Sequence, residues 1–218
     1  TLLKVKAQDR PTKFSFNDYF NPGRLTIPQT NYRIGYFFKE NYTISIGVDH
    51  MKYVMIADQD AIIKGDINVG NTKYDGTYTN ESINLAEDFL RFEHTDGLNY
   101  VNVELKRFDD ISKWFGLQSE NLQINVTEGV GAGILYPRTN TTLLGNERHD
   151  DFHLSGYGMS IGAGLNISFL KHFFIQADLK GGYINMGDIK TTLSSADKAS
   201  QSFYFFQNNI LIGGKFRL

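Results

Sequence analysis

The sequence predicts an all-β protein, an antiparallel up-and-down β-barrel of about eight strands. Along most of the 218 residues, apolar residues alternate with polar residues or glycine, whereas the helical period of about 3.6 residues is nearly absent. The alternating segments are joined by short connections at one set of junctions and by long connections at the other. An even number of strands that run up and down produces this arrangement.

Together, the two observations locate the strands. The predicted strands cover 1–8, 30–39, 42–57, 89–108, 120–136, 154–170, 172–187 and 203–218. Short or moderate turns join them at 39–41, 109–119 and 170–171, and longer polar connections lie at 9–29, 58–88, 137–153 and 188–202. The first strand is short and is expected to lack its beginning. Residues 1–218 are expected to form a single barrel domain.

After the first strand, each segment has an apolar row on alternate residues. In strand order, the clearest members of these rows are Tyr32, Ile34, Tyr36 and Phe38; Tyr42, Ile44, Ile46 and Val48; Val101, Val103 and Leu105; Ile124, Val126, Val130 and Ile134; Tyr157, Met159, Ile161, Leu165 and Ile167; Phe173, Ile175, Ala177 and Leu179; Ile210, Ile212, Phe216 and Leu218. The opposite rows consist of Gly, Ser, Thr, Asn and Gln with a few charged residues. Each strand is therefore expected to have one apolar face and one polar face of mostly small residues.

Two kinds of closed barrel fit these strands. A soluble barrel turns its apolar rows inward around a ligand, and a membrane barrel turns them outward to lipid. Water-facing strands usually carry many Lys and Glu residues, and the second rows here carry few. Several strands have ~15 residues, against ~5–6 in soluble sheets and ~9–11 needed to cross a bilayer. The sequence therefore favours apolar rows in lipid and polar rows in a narrow lumen.

The strand count, the alternation and the terminal stretch NNILIGGKFRL resemble small outer-membrane barrels of the OmpA, OmpX and PagL kind. That stretch is similar to the final-strand signal read by the barrel assembly machinery, although it ends in Leu218 rather than Phe or Trp. The resemblance implies a multi-pass protein of a bacterial outer membrane that contacts lipid and lipopolysaccharide. Because the resemblance is architectural, it implies location more firmly than activity.

Composition excludes several other classes. The formal net charge of −2 leaves no broad basic field, so no nucleic-acid partner is expected. The chain has no cysteine, which removes disulfides and thiolate chemistry. An eight-stranded lumen is filled by side chains, so general diffusion of solutes is not expected. The sequence also points to no cofactor.

Charged residues on the polar rows balance each other. Asp49, Glu104 and Asp178 are expected to face the lumen, and the cations on the same rows are Arg33, Lys106, Lys180 and Lys215. A closed lumen has a low dielectric, so buried charges there need partners. The sequence therefore predicts an internal polar network made of these seven side chains.

Glu128 interrupts the apolar row of its strand. Counting residues from the short turns places Glu128, His50 and Asn99 at similar heights on the outer wall, with Thr95 above Asn99. A His–carboxylate pair with hydroxyl and amide donors can activate a nucleophile and stabilise an oxyanion. The same groups also fit contact with a protein partner or with lipid A, and a bulge that turns Glu128 inward is a further alternative.

The stretch HTDGLN resembles the His-x-Ser-Asn region of PagL, a lipid A deacylase with a lipid-facing site. It departs from that pattern because Asp96 replaces the serine. If the chain is an enzyme, the resemblance and the outer-wall positions together propose these catalytic residues: His50, His94, Thr95, Asn99 and Glu128. The hydrolase interpretation is the alternative, and a non-enzymatic barrel is favoured.

A second cluster lies in the stretch RHDDFH. His149 and His153, with Asp150 or Asp151, form a weak metal candidate, because two histidines on a loop normally need a preformed third ligand. An exposed polar loop is favoured, and no metal is expected. The functional expectation is a structural or accessory subunit of a membrane complex that binds partners. A lipid A-modifying hydrolase and a loop-based surface binding protein remain the alternatives.

Overall fold

The computed structural model describes residues 1–24, 28–70, 72–94, 97–119, 121–146 and 151–216. Within these ranges the chain forms fourteen strands in three open, antiparallel sheets. The strands are β1 Leu2–Leu3, β2 Ala7–Asp9, β3 Asn31–Lys39, β4 Tyr42–Met51, β5 Tyr53–Met55, β6 Gln59–Ile67, β7 Gly76–Leu85, β8 Leu90–His94, β9 Leu98–Asp110, β10 Leu122–Leu135, β11 Thr139–Leu143, β12 Gly156–Phe169, β13 Phe173–Lys190 and β14 Lys198–Gly214. The described helices are α1 Phe16–Phe20 and the 3-10 turns Pro22–Arg24 and Ser112–Phe115.

Seven strands make the largest sheet, in the order β14-β13-β12-β10-β9-β4-β3. Each neighbouring pair is antiparallel, and the strands follow one another in chain order, although β5–β8 intervene between β4 and β9, and β11 intervenes between β10 and β12. Tight turns follow β3 and β12, the latter through Leu170 and Lys171, which both have positive φ. The all-β, antiparallel prediction is confirmed.

The seven-stranded sheet curls back on itself. Lys180 on β13 contacts Asp49 on β4, although three strands separate them in the sheet order. Lys106 on β9 likewise contacts Asp178 on β13. At the end with the tight turns, the Lys215 ammonium lies 6.0 Å from the Phe37 ring centroid. The polar rows therefore line the concave face.

A closed eight-stranded barrel is not present in the described residues. The two edge strands of the large sheet, β3 and β14, are not paired with each other. The predicted first strand, 1–8, is instead divided into β1 and β2, which pair with β6 and β5 outside the large sheet. Lys4 has φ +60° between these two short strands, and Leu2 packs against the apolar cluster around Ile63. That packing holds the segment away from the predicted position.

Two smaller sheets replace predicted loops and strand ends. Their orders are β1-β6-β7 and β11-β8-β5-β2. The predicted loop 58–88 contains the β6–β7 hairpin, and the predicted strands 42–57 and 89–108 are each broken, at Lys52 and before Leu98. Gly97, with φ +84°, marks the second break. The chain changes sheet at these breaks, so the apolar alternation continues although the pairing partners change.

Apolar packing is concentrated at the end where the sheets meet. One cluster contains Met51, Leu98, Tyr100, Leu135 and Ile184, with Phe92 of β8 packed against it. A second cluster around Leu85 and Phe89 holds the smaller sheets together. Among the described residues, no helix is both long enough and apolar enough to cross a bilayer.

Candidate functional site: a buried ion-pair network inside an apolar wall

The outer face of the large sheet is apolar and exposed. On β12, the outward row includes Ile161, which is 69% exposed, and Met159 at 61%. The residues on the opposite, inward row of β12 are small or polar, and Ser160 and Asn166 of this row are buried. The same pattern runs across the sheet, with these large residues at least 43% exposed: Ile34, Ile46, Val103, Leu105, Val130, Leu165, Leu179, Tyr204, Phe206, Ile210 and Ile212. Burial is therefore the reverse of that in a water-soluble sheet.

Four charged side chains meet at the centre of the concave face. Lys180 donates to Asp49 at 2.5 Å and lies 3.2 Å from Glu104. Arg33 lies 3.5 Å from each of these carboxylates and donates to Oδ1 of Asn102 at 2.8 Å. The four charged side chains are at most 16% exposed. Strands from both halves of the sheet therefore share one ion-pair cluster.

The cluster continues towards the end with the tight turns. Lys106 bridges Glu104 at 3.5 Å and Asp178 at 2.7 Å. Gln176 donates to Asp178 at 2.7 Å and accepts from Asn166. Ser168 donates to Asn166 and accepts from Lys215 at 2.6 Å. The structure thus joins all seven predicted lumen charges, six by ion pairs and Lys215 through neutral side chains.

The charges inside the large sheet balance each other. Three carboxylates face three cations within contact distance, so the cluster is electrically balanced before Lys215 is counted. Above it, Tyr100 is fully buried, and the Lys180 ammonium lies 5.4 Å from its ring centroid. The apolar cluster that contains Tyr100 follows. The network can hold the curl of the sheet, but each of its central carboxylates is already paired.

The predicted catalytic residues are only partly brought together. His50 and Asn99 are a cross-strand pair, and Nδ1 of His50 donates to Oδ1 of Asn99 at 2.7 Å. The Asn99 amide donates to the carbonyl of Tyr136 at 3.2 Å. A side chain at Gly97 would overlap the His50 ring. This pair therefore lies where the chain passes from β8, in a smaller sheet, into β9 of the large sheet.

Glu128 does not lie near that pair. It is paired with Arg107 of β9, whereas His50 is paired with Asn99 of the same strand. Eight residues of strand separate the two positions, which is about 26 Å. The predicted common height of Glu128, His50 and Asn99 is therefore wrong, because counting from the turns ignores the stagger between tilted strands.

Glu128 does face outward, with 67% of its side chain exposed. Arg107 lies 3.8 Å from it and donates more closely, at 2.8 Å, to Asp109. These three residues form a charged patch on the otherwise apolar wall. Sequence reasoning missed Arg107 and Asp109, although both continue the odd-numbered row of Val101, Val103 and Leu105.

His94 belongs to a different environment from His50. It lies on β8 in a small sheet, is 2% exposed, and is hydrogen-bonded through Nδ1 to Thr139 at 3.2 Å. Its ring packs edge-on against Phe92. Burial lowers the pKa of His94 to about 4, so the imidazole is neutral at pH 7. Thr95, the neighbouring candidate, lies outside the described residues.

Of the metal candidate, only Asp151 and His153 lie within the described ranges. His153 donates from Nε2 to Asp188 at 3.2 Å. His149 and Asp150 lie outside the described residues. Among those that are described, no three His, Asp or Glu side chains are grouped as metal ligands.

The interior network also includes residues that the sequence analysis did not select. These are the uncharged members Asn102, Thr127, Asn166, Ser168 and Gln176. The alternation of the sequence could have identified them, since each lies on the polar row of its strand.

Comparisons with protein-family models, with curated proteins and with solved structures gave no match.

Proposed function

We propose that this chain forms the wall of a transmembrane β-barrel in a bacterial outer membrane and acts there as a non-enzymatic structural or accessory subunit. One observation supports the location: large apolar side chains are exposed across all seven strands, while polar side chains on the opposite rows of the five inner strands, β4, β9, β10, β12 and β13, are buried. Water-soluble monomers rarely expose continuous apolar patches beyond a few hundred Å². Hydrocarbon is the solvent in which such a face is stable.

The proposed barrel has eight strands. Lipid cannot hydrogen-bond the backbone groups of an open sheet edge, so sheets span membranes only as closed barrels. The described sheet supplies seven strands, and one further strand between β3 and β14 would complete the barrel. Exposed aromatic residues at the tight-turn end also support a membrane-spanning barrel, because aromatic side chains are enriched at the membrane–water interface. These residues are Phe38, Trp114, Phe115 and Phe173.

The subunit role is supported by what the wall and the interior contain. The interior is occupied by paired charges and an apolar cluster, which leaves structure rather than transport as its role. The patch of Arg107, Asp109 and Glu128 gives a membrane partner a polar contact on an apolar wall. The lipid A hydrolase alternative has less support, because Glu128 lies about 26 Å from the His50–Asn99 pair.

Membrane extraction and purification test this proposal. We expect the protein in the outer-membrane fraction, resistant to alkaline extraction, and folded only with detergent or lipid. The unheated protein should migrate faster in a denaturing gel than the heated protein. A monomer that stays folded in plain buffer would contradict the location. For the subunit role, we expect co-purification with a stoichiometric partner in mild detergent, and a barrel that always migrates alone would contradict it.

A further inference from the structure

Four aromatic side chains lie close together between β2 and β3. They belong to residues 12–20, which include α1 and which we call the aromatic segment. The ring centroids of Phe14 and Phe16 are 5.5 Å apart, and Tyr19 and Phe20 each lie within 5.6 Å of one of these rings. The three phenylalanines are nevertheless 63–75% exposed, and they pack against neither of the apolar clusters in the described residues. The aromatic segment therefore presents a contiguous apolar surface outward, as interaction sites do.

The aromatic segment is held to the end of β4. The backbone N–H of Arg10 donates to the carbonyl of Lys52 at 3.2 Å, and the Lys52 ammonium donates to Oγ1 of Thr12 at 3.5 Å. The Tyr19 hydroxyl donates to the Thr12 carbonyl at 3.1 Å, which connects α1 to the same point. Lys52 directly follows Met51, the last residue of β4. The aromatic segment is therefore attached at the height where β4 ends.

That height matches the upper edge of a lipid-facing band. The ten residues of β4, at ~3.3 Å per residue and a tilt of ~40°, rise about 25 Å from the tight turn. The apolar band of an outer-membrane barrel is also about 25 Å tall. The aromatic segment therefore lies near the level at which the wall passes from lipid to water.

A second aromatic pair lies at the same level on the wall. The N–H of Tyr136 donates to the carbonyl of Asn99, which is the cross-strand partner of His50 near the end of β4. The Tyr136 ring stacks on Phe152 with centroids 5.6 Å apart, and both side chains are exposed. Because aromatic side chains are enriched where a bilayer meets water, this pair indicates the same interface.

The local charge favours a lipid surface as the occupant. Between residues 10 and 24 the basic side chains are Arg10, Lys13 and Arg24, and the acidic one is Asp18. This region is net positive, although the whole chain has a formal net charge of −2. Segments that lie in a membrane interface combine exposed phenylalanines with basic side chains, since the rings enter the acyl boundary and the cations meet lipid phosphates.

We propose that the aromatic segment is a membrane anchor that lies in the interface at the end opposite the tight turns, with Phe14, Phe16 and Phe20 inserted among the lipids and Lys13 at the lipid phosphates. The inference rests on the proposed membrane location and adds a lipid contact outside the spanning strands. β2 precedes the aromatic segment and belongs to a small sheet, so the anchor holds that sheet against the membrane surface.

Fluorescence quenching tests the proposal in the full natural protein refolded into lipid vesicles. Its tryptophans, Trp114 among them, are first replaced by Phe, and one new tryptophan is placed at Phe16 or at Phe20. The phosphatidylcholine of the vesicles carries bromine either near the headgroup or near the end of the acyl chain, and acrylamide is the quencher in water. Ile161→Trp on the apolar wall and Ser82→Trp on an exposed site of β7 are the matched controls for lipid and water.

We expect bromine near the headgroup to quench Phe16→Trp and Phe20→Trp more strongly than bromine near the chain end, because the anchor lies at the interface. Ile161→Trp should show the reverse order, and Ser82→Trp should respond to acrylamide alone. Segment probes that behave like Ser82→Trp would overturn the anchor. Segment probes shielded from both bromine and acrylamide would also overturn it, since protein would then cover the rings. If Ile161→Trp is itself not quenched by brominated lipid, the proposed membrane location fails.

A neutralised cation tests the contact with lipid phosphate. Adding phosphatidylglycerol to the vesicles should strengthen the headgroup-level quenching of Phe16→Trp. Lys13→Gln should then lower the ratio of inserted to free segments by about fivefold, the contribution of one basic residue near an anionic surface. Lys64→Gln, at an exposed position of β6, is the matched control and should leave the ratio unchanged. Equal ratios for the two variants would contradict the contact between Lys13 and lipid phosphate.

Discussion

The large sheet and the two small sheets bury opposite kinds of side chain. In the small sheets, Ala61, Ile63 and Leu85 are inside while Glu81 is exposed. In the large sheet, Lys180 and Asp49 are inside while Ile161 is exposed. The treatment of charge differs too: the large sheet buries ionised groups in pairs, whereas the small sheet buries His94 alone and neutral. One chain therefore contains sheets with opposite burial patterns, and under the proposed location water lies outside the small sheets and lipid outside the large one.

Removing a buried cation should have the largest effect. Lys180→Met leaves Asp49 and Glu104 in the interior without their closest partner, and breaking a buried pair in this way costs about 3–5 kcal/mol. The measurement is the free energy of unfolding by denaturant in detergent micelles. Lys198→Met, at an exposed site, is the matched control. Equal losses for the two variants would mean that the network does not stabilise the large sheet.

Acid should destabilise the small sheet that contains His94. The folded pKa of about 4 lies below the unfolded value of 6.5, because burial disfavours the imidazolium. This contribution is complete above pH 6.5 and falls as the pH drops towards 4, since only the unfolded chain binds the proton there. The total loss is about 3 kcal/mol.

The measurement for His94 is the pH dependence of hydrogen exchange in β8 and β11. His94→Leu should remove the part of the dependence that lies between pH 6.5 and 4. His153, whose side chain is 25% exposed and paired with Asp188, supplies the control variant, His153→Leu, which should keep it. Identical pH profiles for the wild-type chain and His94→Leu would show that this histidine is not buried as described.

A charged substitution on the outer face of each sheet tests directly which solvent that face contacts. Ile161→Arg places a cation near the middle of β12, where lipid exposure costs about 2–4 kcal/mol. Ser82→Arg, on an exposed site of β7, should change stability by no more than about 0.5 kcal/mol. Both variants are measured by refolding into lipid vesicles. A negligible cost at both sites would place water on both surfaces.

The alternation of residues was sufficient to predict much of the large sheet. It located its seven strands and identified which row is buried, and it selected the charges that meet inside, because these properties depend only on the parity of each residue along its own strand. Asp49 and Lys180 could thus be assigned to one interior without knowledge of which strands lie close together.

Parity could not predict where the chain changes partner or how far neighbouring strands are staggered. The apolar rhythm continues from β4 into β5, yet the two strands belong to different sheets. The segment 1–8 alternates weakly, and Leu2–Leu3 within it pairs with the β6–β7 hairpin, a stretch predicted as a polar loop. Gly65 and Asn80, both at positive φ, interrupt the alternation of that hairpin. Stagger depends on pairing across strands, so the height of Glu128 was misplaced.

The smallest effect is expected for Glu128→Gln. Glu128 is mostly exposed and lies 3.8 Å from Arg107, which keeps its closer contact with Asp109 after the substitution. The residue is also far from His50, so it cannot act with it as a catalytic pair. We expect no measurable shift in thermal unfolding and unchanged lipid A acylation, measured by mass spectrometry of cells with the wild-type gene, the variant or no gene. Asp109→Asn is the matched control, since it removes the closer carboxylate instead. Acylation that depends on the gene and is lost with Glu128→Gln would establish the hydrolase, and the wall patch would then be an active site rather than a contact surface.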